Sequence, residues 1–323
     1  MKDHATQRGA ALVIVLLLAA TLSFVLLSLT TVVTTGVRRG ANERARAEML
    51  WQAVAAERIA LAVLEKASSS NALATATNEG GLFSEQLALP TGRGRAAMRF
   101  ADASRCFNVN ALINPNRAAV PEEKARLVNL FEAIGLGGND ALAAADAIAD
   151  FLDENSAVEP QGAEDNFYTA LTTPYRTAGG PVAAVSELRA VRGVTREIYA
   201  RIAPFLCARK TGQRVEINVN ALSPEDAPLI YAATGGTWPL ADIRAQIAER
   251  PPGGWRPDAG EFWKAFPNRS DISLTGLAGV TSTWVEARVF LEADQRVVEE
   301  TLIIETPANG KPALFSRTLG GGE

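Results

Sequence analysis

Histidine is nearly missing from this sequence of 323 residues: the one copy, His4, precedes the first hydrophobic run. Without a second histidine there can be no Ser-His-Asp or Cys-His catalytic set in the body of the chain, and no His-ligated zinc or iron. Cysteine is almost as scarce. Cys106 and Cys207 are the only two, too few for a structural zinc site. A block of positive charge is also absent: 32 basic residues face 36 acidic ones, for a formal net charge of -4. Nucleic-acid backbones are gripped by clustered Lys and Arg, so such a partner is not expected. Hydrophobic residues nevertheless make up 47% of the chain, enough for a buried core in roughly two domains.

The missing charge is most evident at the start. From Gly9 to Val37 no charged residue occurs, and a membrane span needs only about 20 apolar residues. A cleaved signal peptide has a shorter apolar core, typically about 7–15 residues, and a small-residue cleavage site that this run lacks. The run therefore reads as an uncleaved anchor. Lys2 and Arg8 before it balance Arg38 and Arg39 after it, so charge does not fix its orientation. Helical character continues beyond it: residues 42–66 are rich in Ala, Glu, Arg and Leu and contain no proline. Leu50, Val54, Leu61 and Leu64 recur at helical spacing, predicting a stripe that packs on a globular domain, with Gly36 and Gly40 as weak points.

Past the helix, a polar stretch (68–78) and a turn at Gly80-Gly81 lead to strand-like segments at 96–100 and 105–109. Two alternating segments, 283–291 and 297–305, flank Asp294-Gln295 as a hairpin, and a last short strand is expected at 313–317. Between them, from Glu122 to about Ile247, the pattern is mostly helical. The fold class is α+β: a long N-terminal transmembrane helix and a small antiparallel sheet, with a large two-part helical domain inserted. Asn108-Val109-Asn110-Ala111-Leu112 returns as Asn218-Val219-Asn220-Ala221-Leu222, which suggests two related subdomains whose Asn residues cap backbone donors. Residues 186–194 and 198–205 look like a helix-hairpin-helix turning at Gly193, a packing unit or, alternatively, a DNA contact.

The densest polar group runs from Asp150 through Asp153, Glu154, Asn155, Glu159, Glu164 and Asp165 to Asn166. Hard oxygen ligands this close together suit calcium, though no EF-hand spacing is present. A solvated acidic loop and an acid/base carboxylate pair are the other readings. Cys106 and Cys207 would form a disulfide outside the cytoplasm, the alternative being two buried thiols.

Gln7-Arg8-Gly9 followed by Ala10-Ala11-Leu12 resembles the processing site of type IV pilins and type II secretion pseudopilins. The resemblance implies cleavage by a prepilin peptidase between Gly9 and Ala10, with methylation of the new N-terminus. The fifth mature position, usually Glu in these families, is Ile14 here; a subunit with no neighbour ahead of it would tolerate that. Residues 106–112, 149–153, 162–168, 174–176, 186–189 and 217–220 together resemble the minor pseudopilin K family of type II secretion systems, over nearly the whole chain. The resemblance implies a leader (1–9), an N-terminal helix (10–66, transmembrane over 10–35), a discontinuous pseudopilin domain (67–112 and 274–323) and an inserted helical domain (113–273). It also implies a non-enzymatic place at the pseudopilus tip beside minor pseudopilins I and J. That tip would stand on a single-pass inner-membrane anchor, its globular part in the periplasm. Calcium would be held by Asp153, Asn155, Glu159, Glu164 and Asp165. Phe151 stands where the family usually has Trp, and Asn155 where Asp is common. The alternative is a membrane-anchored helix-hairpin-helix DNA-binding protein of a competence-like system.

Overall fold

The computed structural model describes residues 4–70, 72–75, 80–90, 94–114, 120–267, 276–293 and 296–320. Its first element, α1 (His4–Ser69), is a helix of 66 residues, about 100 Å long at 1.5 Å per residue. It passes through Gly36 and Gly40 without interruption, and nothing packs within 4 Å of either. From Ala11 to Val37 every residue is exposed. The hydroxyls in this apolar stretch turn back on the helix: Ser23 donates to Ala19 O, Thr30 to Leu26 O and Thr31 to Leu27 O. These hydroxyls then require no water.

Burial begins at Met49. The stripe that docks is made of Ala53, Ala56, Ala60, Leu64 and Ala67, all buried. Of the four residues expected from spacing, Leu64 is buried, Val54 and Leu61 are half-buried and Leu50 is exposed. Alanine lacks the bulk that would hold the helix axis off the sheet, so the close contact falls on the small side chains. A short helix, α2 (Ala72–Thr75), follows.

The sheet under α1 is antiparallel, in the order β1 (Gln86–Leu89), β2 (Arg95–Asp102), β7 (Trp284–Ala293), β8 (Arg296–Glu305), β9 (Ala313–Leu319). Alternate residues Met98, Phe100, Val285, Ala287, Val289, Leu291, Leu302 and Ile304 face the helix and form one core with its alanines. The Asp294-Gln295 turn expected between β7 and β8 lies outside the described residues.

The insertion leaves the sheet after Asp102 and returns at Trp284, and these two strands are neighbours. It therefore includes 103–112 and 276–283, which the sequence grouped with the sheet. Two ion pairs fix which end of the sheet it occupies. Glu57 on α1 meets Arg317 at 3.3 Å and Glu65 meets Lys311 at 2.9 Å, so β8 runs alongside the helix toward its C-terminus. Trp284 pairs with Glu305 at that end, and Ser68 and Leu73 share a cleft with Asp258 and Ala259 of the insertion. The helical domain thus stands at the end of the sheet farthest from the apolar run.

Within the insertion, β3 (Phe107–Asn108) pairs in parallel with β4 (Leu206–Cys207), and β5 (Ile217–Asn218) with β6 (Ala278–Gly279). Helices α3 (Val120–Ala133), α4 (Gly138–Leu152), α5 (Asp165–Thr169) and α6 (Arg196–Ile202) belong to the first pairing. The second holds α7 (Ala227–Ala233), α8 (Leu240–Ala248) and α9 (Gly260–Trp263). One continuous core spans both. The expected helix-hairpin-helix is only half helical: its first arm, Val185–Ala190, is a 3-10 turn, and Gly193 reverses the chain at φ +78°.

Each Asn-Val-Asn copy closes its own loop. Asn108 Oδ1 accepts from Asn110 N at 3.1 Å, and Asn218 Oδ1 accepts from Asn220 N at 3.0 Å. Asn110 then accepts from Val182 N and donates to Val182 O and Arg209 O. Asn220 does the equivalent with Trp255 N, Trp255 O and Val280 O. A disulfide joins Cys106 to Cys207 beside the first pairing only.

Candidate functional site

Helix α4 sets the polarity of the acidic region. Asp146, Asp150 and Asp153 are spaced i, i+4 and i+7, which places them on one face, and the loop 154–164 folds back over that face. Asp150 is fully buried and accepts from Glu159 N. Gly162 crosses so close that a Cβ there would lie 2.0 Å from Asp150 Oδ2, so only glycine fits.

Asp153, Glu154, Asn155, Glu164, Asp165 and Asn166 line one cleft of about 410 Å³. Asp153 and Asn155 are held by successive turns, with Asp153 Oδ1 accepting from Asn155 N and Asn155 Oδ1 from Ala157 N. Asp165 Oδ1 accepts from Thr177 N at 2.9 Å, which keeps this carboxyl below its usual range. Glu164 is 7% exposed and its Oε1 has no hydrogen-bond partner. Burial, reinforced by the Asp150 and Asp153 carboxylates, pushes its pKa up to about 7. Asp150 rises to about 6, mainly through burial.

Glu159 is directed elsewhere. Its Oε2 is 2.8 Å from Lys124 Nζ, which also holds Asp146 at 3.0 Å. The structure therefore brings Asp153, Asn155, Glu164 and Asp165 to one cleft and leaves Glu159 in an ion pair. Asp146 and the anchoring role of Asp150 were missed in sequence, although their helical spacing to Asp153 was visible. Among the described residues, no three Asp, Glu, His or Cys side chains converge into a ready-made metal centre. The cleft offers carboxylate and amide oxygens beside the Arg176 guanidinium, which pairs with Asp165 at its rim, and a buried carboxylate oxygen without a donor is costly. This donor set fits a hard cation such as calcium. Gly9 and Ala10 lie within α1, whose residues from Ala11 onward are apolar and long enough to cross a membrane.

Residues 105–211 match the family model described as type II secretion system (T2SS), protein K. The type II secretion system protein K of Aeromonas hydrophila is 30% identical, over 98% of each chain. The chain belongs to the type II secretion system protein K family. The putative protein K of Escherichia coli K12 is 31% identical over 80% of this chain and 79% of its own. The fold is that of a solved protein K. The crystal structure of the GspK-GspI-GspJ complex from enterotoxigenic E. coli matches with a TM-score of 0.72 at 24% identity. The match covers 88% of this chain and all of that one. Protein K is a pseudopilin, a structural component of the secretion machinery. The 105–211 match begins one residue before Cys106 and ends four after Cys207, so it coincides with the first of the two loops closed by an Asn pair.

Proposed function

We propose that this protein K caps the tip of a type II secretion pseudopilus, assembled with minor pseudopilins I and J, and carries out no catalysis. The placement of the insertion supports this most directly. It stands at the end of the sheet beyond the C-terminus of α1, where a further subunit stacked on top would collide with it. The exposed apolar half of α1 anchors the chain once through the inner membrane, with the globular part in the periplasm. Prepilin peptidase cuts between Gly9 and Ala10. Partners I and J are those of the enterotoxigenic E. coli complex, carried here by analogy. Calcium, held by Glu164, Asp153, Asn155 and Asp165, neutralises carboxylates that otherwise repel one another.

The test is intact-mass measurement of the full chain from membranes, with and without the peptidase, followed by co-purification with its own I and J. The expected result is a peptidase-dependent mass starting at methylated Ala10 and a stoichiometric complex. Retention of residues 1–9, or failure to associate with I and J, overturns the reading. For calcium, Glu164→Gln is expected to abolish a calcium-dependent rise in Tm; a native protein whose Tm ignores calcium refutes the site.

A further inference from the structure

The chain has four tyrosines, and three of them, Tyr168, Tyr175 and Tyr199, gather on one side of the insertion around residues 189–192. The contacts are continuous. Arg192 lies over the Phe167 ring at 4.8 Å, and its backbone N donates to Tyr168 Oη at 3.0 Å. Tyr168 packs between Phe167 and Tyr175, with ring centroids 5.2 Å away on each side. Tyr175 Oη donates to Ala190 O at 2.7 Å, and Arg189 lies over the Tyr199 ring at 4.6 Å. Tyr168 is fully buried and serves as the base, while Phe167 and Tyr175 are 38% and 37% exposed. Arg176 is 3.4 Å from Asp165 and has 79% of its side chain exposed.

Phe167 and Tyr175 keep more than a third of their surface in water, and Tyr, Phe and Arg are residue types enriched at protein interfaces, Tyr and Arg also among their hot spots. The guanidinium planes stacked on rings are already ordered, so binding costs them less entropy, and their N–H edges suit carboxylates. Two of the nearby acids are committed internally. Glu187 Oε1 accepts from Ala183 N and Ala184 N, and Asp165 accepts from Thr177.

We propose that Phe167, Tyr175, Tyr199, Arg176, Arg189 and Arg192 form a docking surface for an acidic segment of another protein, on the insertion that stands at the end of the sheet away from the apolar run. A nucleic acid fits poorly. Asp153, Glu154 and Asp165 line the cleft that Arg176 borders, so the arginines form no continuous basic stripe that could follow a phosphate backbone.

The full chain in a neutral detergent is titrated with three labelled probes: a ten-residue Glu-Gly repeat peptide, its Lys-Gly counterpart and a 20-base-pair DNA duplex. The expected result is that only the Glu-Gly peptide binds, and that Arg176→Ala/Arg189→Ala weakens it about tenfold or more with Tm unchanged. Phe167→Ala is expected to weaken it about threefold or more although no charge is removed. Arg99→Ala, on the sheet, should leave it intact. Four outcomes overturn the proposal: no peptide binding by the native chain, equal binding of the Lys-Gly peptide, an unaffected double variant, or duplex DNA displacing the peptide through the same arginines.

Discussion

Asn108-Val109-Asn110 and Asn218-Val219-Asn220 carry the same tripeptide and do the same work, yet they are secured differently. In both, a two-residue strand ends at the first Asn, whose side chain turns the backbone, and the second Asn reaches across to a distant segment. All four side chains are buried to 2% or less. The first loop has a disulfide beside its strand pair. The second has none. There, Asn218 Nδ2 donates to Ser282 Oγ, and Ser282 donates to Asp102 on the last residue of β2. Both copies reach the sheet, the first through Lys210 paired with Glu305 and a disulfide packed on Trp284, the second through Ser282 to Asp102; only the first adds a covalent closure. Amide clamps close both loops, and a second device, covalent in one and a buried hydrogen-bond chain in the other, holds the clamped segments in place.

Removing the covalent device should have the largest effect. Cys106 and Cys207 are separated by 101 residues, and in the chain-entropy model a loop of that size is worth about 4–5 kcal/mol. Cys106→Ser/Cys207→Ser is expected to lose most of this, measured by guanidinium unfolding of the full chain in detergent. Trp238, Trp255, Trp263 and Trp284 are buried in or beside the insertion, while Trp51 is exposed on α1, so tryptophan fluorescence reports on the insertion. A loss below about 1 kcal/mol would show that the hydrogen bonds alone close the first loop.

The clamps come next. Asn110→Ala leaves Val182 N, Val182 O and Arg209 O without their partner, and Asn220→Ala does the same to Trp255 and Val280. Buried polar groups stripped of a partner cost about 1–3 kcal/mol each, so each variant should lose about 3 kcal/mol or more. If the disulfide holds the first loop by itself, Asn110→Ala will be markedly milder than Asn220→Ala. Similar losses would place the two clamps on an equal footing.

Much of this was readable from residues alone. The repeat was visible as a repeated pentapeptide, four of the five sheet strands as alternating segments (β1 was not), and the apolar stretch of α1 as a run without charge. What sequence could not show is which side chains meet across distance. Leu50 has the right spacing for the docking stripe but is exposed, because alanines allow the closer approach. Glu159 is near the other acids in sequence yet pairs with Lys124 from α3. Asp102 continues the inward register of Ala96, Met98 and Phe100, but nothing local shows what would cover a carboxyl there; it is enclosed because the insertion leaves and returns beside it.

That enclosure gives the smallest and most specific prediction. Burial raises the Asp102 pKa from 3.8 to about 6, against the opposing effects of Ser282, Ser104 N–H and Arg105. The folded protein therefore holds this proton more tightly than the unfolded chain does. The carboxyl costs nothing below pH 4, its penalty grows as pH rises to 6, and it is constant above that. The gap corresponds to at most about 3 kcal/mol. Asp150 and Glu164 shift in the same direction, so the informative quantity is the difference between native protein and Asp102→Asn. The amide oxygen can still accept from Ser104 N, but position 102 no longer titrates. Native stability should gain about 1–3 kcal/mol on Asp102→Asn between pH 7 and pH 4. Parallel curves would mean the buried carboxylate is fully compensated by its neighbours. The second loop would then be tied to the sheet at no electrostatic cost, and the contrast with the disulfide would reduce to one of strength alone.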